Sequence, residues 1–198
     1  MAKTIMYAAV SADGYVATPD GGIGPLFDWF QHGDVVWEWN GTEMRTNKAT
    51  KDFIQAVYPG DIGAMVVGRF VFDQTNGWDG QAVAGDRVFV VTHEEPKSWE
   101  FIDTAPFTFV TDGVESAIAQ AREVAGDRIV DVAAGNVGGQ ALRLGLIDQV
   151  VMNVVPVVFG TGRPFFGGAD GEVTLADPSL VAQGERVTHL VYDVPPIR

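Results

Sequence analysis

The stretch RIVDVAAGNVGGQALRLG, residues 128–145, decides the fold class of this chain. Its first part, IVDV, is rich in β-branched residues and predicts a buried strand, while its last part has the spacing of a helix. Glycines at the junction have no side chains to cover the backbone. The first N–H groups of a helix have no partner within the helix, so they can bind an anion there. The stretch therefore predicts a strand, a turn and a helix, with either a phosphate site or simple close packing at the turn.

The composition is that of a single globular domain, which we place over residues 1–198. Hydrophobic residues make up 46% of the chain and charged residues 20%, so one core can be filled without disulfides. No apolar run reaches the length of a membrane span, and the apolar N-terminal run is too short for a signal peptide. We therefore expect a cytoplasmic protein without membrane contact. The absence of cysteine excludes thiolate zinc sites and a cysteine nucleophile, and we predict no metal centre.

The charge balance argues against nucleic acid as a partner. Thirteen basic and twenty-six acidic side chains give a formal net charge of −13, which repels polyanions at long range. A small anionic ligand stays compatible with this charge, because helix ends and single arginines act locally.

Apolar runs alternate with helical patterns along most of the chain. Strands are predicted over residues 4–10, 15–17, 62–67, 87–92, 107–110, 149–159, 172–181 and 185–192. Helices are predicted over residues 50–58, with Thr50 as cap, over residues 70–74, and after residues 111–113. This order predicts a three-layer α/β fold: a mainly parallel central sheet with helices on both faces and a C-terminal antiparallel hairpin.

Polar residues and glycines follow several of these strands directly. Gly68 and Arg69 follow the strand at 62–67, Thr92 and His93 end the strand at 87–92, and the glycine turn begins at Gly135. Because ligands of such sheets bind at the carboxyl ends of the strands, these groups predict an NADPH-like site, with Arg69 on a 2′-phosphate. In the competing interpretation Arg69 is a surface arginine and His93 a solvated loop residue.

Five motifs in order resemble one family. They are SADGYVA at residues 11–17, MVVGRFVFD at 65–73, VVTHEEP at 90–96, DVAAGNVGGQAL at 131–142 and VVPVVFGTGRPFF at 154–166. Together they resemble the dihydrofolate reductase-like family, nearest to the branch that contains the reductase domain of the bacterial riboflavin-biosynthesis deaminase-reductase. The resemblance covers nearly the whole chain and implies an NADPH-dependent oxidoreductase. It favours a homodimer, as does the surplus of tryptophans.

The resemblance also implies roles for individual residues. The backbone at Ala9, Val16 and Ala17 would hold the nicotinamide, and Arg69 with Thr92 and His93 the adenosine phosphate. The pyrophosphate would lie on the turn formed by Gly135, Asn136, Val137 and Gly138. Gly68 and Gly139 complete the set of expected cofactor-binding residues. The family has a Gly-Gly pair where this chain has Ala133 and Ala134, which changes the backbone approach at the turn.

The substrate end is the part of the site that the sequence defines least. Three tryptophans and two phenylalanines fall within residues 27–39, and Phe27, Trp29 and Phe30 are candidates for a wall on which a planar substrate stacks. The alternative is that these aromatic residues cap the sheet or form a subunit contact. Asp13 and Asp28 are the candidate proton donors. Folate is not the preferred substrate, because the inserted loop prevents a clear match of Asp28 with the acid of dihydrofolate reductases.

Three functions stay open at this point. The first is an NADPH-dependent reductase that transfers a hydride to a C=N or C=O carbon of a small, pterin- or pyrimidine-like substrate. The second is an oligomeric nucleotide-binding protein that retains the cofactor cradle without efficient catalysis. The third is a flavin- or mononucleotide-binding module, against which Arg69 counts.

Overall fold

The computed structural model describes residues 2–168 and 171–195. Its strands are β1 (Thr4–Ser11), β2 (Tyr15–Ala17), β3 (Val35–Trp39), β4 (Thr42–Thr46), β5 (Ile62–Gly68), β6 (Arg87–Val91), β7 (Phe107–Val110), β8 (Ile129–Ala133), β9 (Gln149–Val155), β10 (Arg163–Pro164), β11 (Leu180–Gly184) and β12 (Val187–Asp193). Its helices are α1 (Lys48–Val57), α2 (Arg69–Gln74), α3 (Asn76–Asp79), α4 (Val114–Ala125) and α5 (Asn136–Arg143), with a 3-10 helix over Gly24–Gln31.

One eight-stranded sheet organises the chain, in the order β11-β12-β9-β1-β8-β5-β6-β7. The run from β9 to β7 is parallel throughout, and β12 joins it antiparallel to β9 with β11 as its hairpin partner. The predicted fold class, a mainly parallel sheet with a C-terminal antiparallel hairpin, is confirmed. Two small antiparallel pairs, β3 with β4 and β2 with β10, lie outside this sheet.

The sheet separates two apolar layers, because successive side chains of a strand point to opposite faces. Met6 and Val132 face the layer that includes the buried sides of α4 and α5. Ile5 and Ala9 face the other layer, where α1, the 3-10 helix and the β3–β4 hairpin pack. In the described part of the chain, no helix is both long enough and apolar enough to cross a membrane.

Helix α4 begins at Val114, directly after residues 111–113 as predicted, whereas three other boundaries differ. Helix α1 begins at Lys48, and its cap is Asn47, whose Oδ1 accepts from Thr50 N at 2.9 Å. Thr50 is therefore not the cap. Strand β9 ends at Val155 rather than at residue 159, because Pro156 has no N–H to continue the ladder. Regular structure within the predicted strand 172–181 begins only at Leu180.

Candidate functional site

The starts of two helices meet at the carboxyl edge of the parallel strands. Gly68 ends β5 and precedes α2, while Gly135 follows β8 and precedes α5. Strands β5 and β8 are neighbours, and a Cβ built on Gly68 would lie 3.2 Å from Cγ2 of Val137. Two turns separated by more than sixty residues in sequence are thus in direct contact.

The turn at Gly135 leaves amides and free space at the start of α5. Gly135 has a φ of +103°, which L side chains rarely adopt, and a Cβ built there would meet no heavy atom within 4 Å. Gly139 N donates the first bond of the helix to Gly135 O at 2.8 Å. The N–H groups of Asn136, Val137 and Gly138 precede that bond, so they belong to the part of a helix that suits an anion.

Gly138 and Gly139 are required for close packing. A Cβ on Gly139 would lie 1.9 Å from the carbonyl oxygen of Phe166, and one on Gly138 would lie 2.8 Å from the carbonyl oxygen of Ala133. Both glycines are buried. The packing interpretation of the glycine turn therefore applies to its second half, while Gly135 keeps open space in front of it.

Arg69 reaches from α2 to the residues that follow β6. Its Nη1 donates to the carbonyl oxygen of Glu94 at 2.9 Å and to Thr92 Oγ1 at 3.4 Å. Its Nε donates to Asp73 Oδ1 at 2.7 Å, an i,i+4 ion pair. The structure brings Arg69 and Thr92 together, and His93 beside them is exposed. Their contact with a phosphate stays a prediction, and Asp73 is a competitor for the guanidinium that the sequence did not indicate.

The end of β1 and strand β2 form the next part of the edge. Ala9 is buried in β1, and Ala17 pairs with Arg163 of β10. Val16 lies between the two paired residues of β2, where the register of the β2–β10 pair shifts by one residue. The glycine-rich segment 159–168 runs along this edge, where Gly135 N donates to Phe165 O at 2.6 Å.

Asp13, which follows β1, accepts hydrogen bonds from the start of the glycine-rich segment 159–168 and so holds it at the end of this strand. Its Oδ1 accepts from Ser11 Oγ at 2.6 Å and from Phe159 N at 3.1 Å, and its Oδ2 accepts from Gly160 N at 2.7 Å. The Ser11 hydroxyl and then the two backbone amides lower the pKa of Asp13. A carboxylate held in this way is ionised and serves as a tether. Asp28, the other candidate proton donor, is exposed on the 3-10 helix.

Of the three candidate stacking residues, one lies in the core. Trp29 is 1% exposed, and its ring packs edge-on against Phe30 and His189 at centroid distances of 4.4 and 5.2 Å. Phe27 and Phe30 are half-buried and pack edge to face at 5.4 Å. Trp29 is thus a packing residue here, because the inward side of a short 3-10 helix covers the sheet. The role of Phe27 and Phe30 at a substrate stays a prediction.

A family model described as the RibD C-terminal domain matches residues 2–189. The chain belongs to the RibD C-terminal domain family. This membership confirms the resemblance to the riboflavin-biosynthesis reductase domain, and the match extends over both edges of the sheet described above.

The chain is similar to several known proteins, one in sequence and two in structure. YwjB of Bacillus subtilis, described as an uncharacterized protein, is 26% identical over 173 residues, which are 87% of each chain. A putative riboflavin biosynthesis protein from Shewanella sp. PV-4 has a TM-score of 0.63 at 20% identity, with 100% of both chains covered. A diaminohydroxyphosphoribosylaminopyrimidine deaminase/5-amino-6-(5-phosphoribosylamino)uracil reductase from Thermotoga maritima has a TM-score of 0.61 at 15% identity, covering 98% of this chain and 57% of that one.

One buried carboxyl group was not predicted from the sequence. Asp131 lies in the middle of β8 with 6% of its surface exposed, and Tyr58 Oη donates to its Oδ1 at 3.3 Å. Burial raises the pKa of Asp131 to about 7, and the hydrogen bond from Tyr58 opposes part of that rise. The signal that could have predicted it is an acidic residue within the apolar run IVDVA.

A second buried polar group links β9, β12 and α1. His189 Nδ1 lies 2.6 Å from Asn153 Oδ1, and His189 Nε2 lies 2.9 Å from Thr50 Oγ1. An imidazole that donates to the amide oxygen and accepts from the hydroxyl satisfies both contacts. Burial lowers the pKa of His189 to about 4, so this neutral form persists at neutral pH. Thr50 holds this histidine instead of capping its helix.

Arg163 is the third residue that the sequence analysis missed. Its guanidinium carbon lies 3.2 Å from the ring centre of Phe70, the residue that follows Arg69. Its Nη2 donates to Pro19 O at 3.4 Å. The cation therefore joins β10, α2 and the loop after β2 on one side of the candidate cofactor edge.

Proposed function

We propose that the protein is an NADPH-dependent reductase that transfers a hydride to a C=N or C=O carbon of a small, pterin- or pyrimidine-like heterocycle. The contact between Gly68 and Val137, with Arg69 and Thr92 hydrogen-bonded beside it, is the observation that carries the proposal. Family membership supports an oxidoreductase in general. The name of one structural relative, the deaminase/5-amino-6-(5-phosphoribosylamino)uracil reductase of Thermotoga maritima, supports the class of substrate.

The residues at the carboxyl edge fit a dinucleotide. The free space in front of Gly135 and the amides of the first turn of α5 would receive the pyrophosphate. Arg69 would meet the 2′-phosphate with Thr92 beside it, and the phosphate would compete with Asp73 for the guanidinium. When bound, the reduced nicotinamide supplies the hydride.

Residues near β1 and β2 would position the reacting ring and exclude water. The backbone of β2 at Val16 would hold the carboxamide of the nicotinamide, as the family resemblance implies. Asp13 keeps the segment around Gly160 against the strand end, which closes one side of the edge. Holding the two reacting carbons together in a water-poor site accounts for most of what a protein contributes to hydride transfer.

The proton that accompanies the hydride comes from a water molecule in this proposal. Asp13 accepts three hydrogen bonds as a carboxylate, and Asp28 stands in solvent. Neither carboxyl group is buried, whereas an ordered water serves as a general acid when the site orients it.

Cofactor selectivity tests the proposal directly. The unmodified protein is expected to bind NADPH more tightly than NADH in calorimetric titrations, and Arg69→Ala is expected to lower NADPH affinity about 10- to 100-fold while changing NADH affinity little. Arg45→Ala, which removes an exposed arginine of β4, is the matched control and should change neither affinity. Equal affinity of the unmodified protein for the two cofactors would refute the phosphate clamp.

Turnover separates the reductase from a passive nucleotide-binding protein. Pterins, pyrimidines and quinone-like carbonyl compounds are offered with NADPH, and loss of the nicotinamide absorbance is followed. Oxidation of NADPH with at least one of these classes supports the reductase. Tight NADPH binding without turnover of any class would favour the alternative, an oligomeric protein that retains the cradle. Sedimentation of the same sample measures whether the expected homodimer forms.

A further inference from the structure

A second cleft lies at the opposite edge of the sheet, between the β3–β4 hairpin and the end of α1. It has a volume of about 400 Å³. Ile62, the first residue of β5, lines it, whereas Gly68, the last residue of β5, belongs to the cofactor edge. Six residue steps of about 3.3 Å separate the two, so the cleft lies about 20 Å from the proposed cofactor site.

Three aromatic rings form the walls of this cleft: those of Trp37, Trp39 and Tyr58. Trp37 is fixed by its Nε1, which donates to Thr46 Oγ1 at 2.9 Å, and Trp39 packs on Tyr58 at a centroid distance of 5.4 Å. The Tyr58 hydroxyl is turned inward to Asp131, so Tyr58 offers the cleft aromatic surface rather than a polar group. Both tryptophans are only half-buried, which leaves ring surface for a ligand.

The polar groups of the cleft are acidic or neutral. Glu38 and Asp61 are exposed at its rim with Asn40 and Gln55, and among the described residues that line it none is basic. Lys51 from the neighbouring turn of α1 holds its ammonium 5.9 Å from the Trp37 ring centre, so this ring already has a cation near it. The negative faces of the aromatic rings and the carboxylate of Asp61 both favour a positively charged ligand.

We propose that the cleft bounded by Trp37, Trp39 and Tyr58 binds a flat heteroaromatic cation, a molecule of the pyridinium or protonated aminopyrimidine class. The ring of the ligand stacks on the tryptophans, and its positive charge faces Asp61, because Glu38 alternates with Trp37 and Trp39 along β3 and points to the other face of the hairpin. The volume suits one or two fused rings, because ligand sites for small molecules begin at about 300 Å³. A phosphate-bearing ligand is disfavoured, since the carboxylates would repel it. This site is independent of the proposed reductase reaction.

Three probes of equal shape and different charge test the proposal by calorimetry. They are 1-methylquinolinium chloride, neutral 2-quinolone and anionic quinoline-2-carboxylate. The cation is expected to bind most tightly and the anion least, and the preference should shrink at high salt. The indole N–H signals of Trp37 and Trp39 in NMR spectra are expected to shift with the cation. Equal affinities for cation and anion, or unshifted signals of both tryptophans, would overturn the proposal.

Surface variants keep the test independent of folding. The substitution Asp61→Asn should weaken binding of the cation about two- to tenfold and leave 2-quinolone unchanged. Glu115→Gln, which neutralises an exposed acid of α4 on the other side of the sheet, is the matched control and should have no effect. An unchanged affinity of Asp61→Asn for the cation would overturn the proposal.

NADPH distinguishes this site from the cofactor edge. Saturating NADPH should leave the affinity for 1-methylquinolinium unchanged, because about 20 Å separates the two sites. Competition between the two ligands would place the cation at the cofactor edge and overturn the proposal. If NADPH fails to bind while the cation still shifts the tryptophan signals, the reductase proposal fails and the cleft proposal stands.

Discussion

Tyr58 Oη lies 3.3 Å from Oδ1 of Asp131, and both residues are buried between α1 and the middle of the sheet. Burial raises the pKa of Asp131 to about 7, while the Tyr58 hydroxyl partly opposes the rise. The same burial and the charge of Asp131 raise the pKa of Tyr58. The hydroxyl and the carboxyl group are therefore both neutral in the folded protein under mildly acidic conditions.

The substitution Asp131→Asn should change how stability depends on pH. An unfolded aspartate has a pKa of about 3.9, so the folded protein binds the extra proton between about pH 4 and 7. The stability that this proton contributes is complete below pH 4 and is lost as pH rises through 7. Relative to Asp131→Asn, the unmodified protein should lose about 2–3 kcal/mol of unfolding free energy between pH 5 and 8.

Urea denaturation at several pH values measures this difference. Asp61→Asn, which removes an exposed carboxylate from the start of the same sheet, is the control and should follow the unmodified curve. Parallel curves for Asp131→Asn and the unmodified protein would show that Asp131 is ionised in the folded state throughout this range.

Gly139→Ala tests whether the second half of the glycine turn serves packing. In a helix, the alanine alone would add about 1 kcal/mol of stability. Its Cβ would instead lie 1.9 Å from Phe166 O, a backbone atom, so we expect a net loss of about 1–3 kcal/mol in urea denaturation. Gly60→Ala, whose Cβ would meet nothing within 4 Å, should be close to neutral. A gain in stability for Gly139→Ala would contradict the close approach.

Asp13→Asn should loosen the segment that runs along the cofactor edge. The substitution replaces a carboxylate that accepts hydrogen bonds from Phe159 N and Gly160 N. Hydrogen exchange of these two amides, followed by NMR at neutral pH, is expected to become several-fold faster. Asp34→Asn, an exposed acid outside this contact, is the control. Unchanged exchange would mean that packing alone holds the segment.

The lowered pKa of Asp13 predicts a further effect of pH on this segment. A carboxyl group with a depressed pKa stabilises the folded state above its unfolded pKa of about 3.9, and this contribution disappears as pH falls below it. The contact of residues 157–160 with the end of β1 should therefore weaken only in strong acid.

Local patterns in the sequence are sufficient for the sheet and its order of elements. The apolar run at 62–67 and the strand in 128–145 lie within a residue or two of β5 and β8, because a buried parallel strand needs an unbroken apolar run. Prediction from local patterns fails where a side chain that suits a local role makes a distant contact instead. Thr50 has the character of a helix cap, yet its hydroxyl contacts His189, 139 residues away.

The residues of the candidate site also fall into two groups, those that local patterns predict and those that only the fold brings together. Gly68, Arg69, Thr92 and Gly135 are predictable because each stands at the end of a predicted strand. Tyr58 and Asp131 are 73 residues apart, and Arg163 stacks on Phe70 across nearly half of the chain. No periodicity in the sequence brings such pairs together. Only the crossing of α1 over the sheet, or the return of β10 to β2, makes them neighbours.

His189 and Asp131 should have opposite effects on stability in mild acid. Burial lowers the pKa of His189 to about 4, so its contribution is present above the unfolded pKa of about 6.5 and decreases as pH falls toward 4. The contribution of Asp131 increases over nearly the same range. In the unmodified protein the two effects offset each other between pH 7 and 5.

In the variant Asp131→Asn, the contribution of His189 should become visible as a loss of about 2 kcal/mol of unfolding free energy from pH 7 to 5. Adding His189→Gln should remove this slope, whatever its effect on stability at neutral pH, and denaturation curves of both variants measure it. A slope that persists in the double variant would assign the acid sensitivity to other groups.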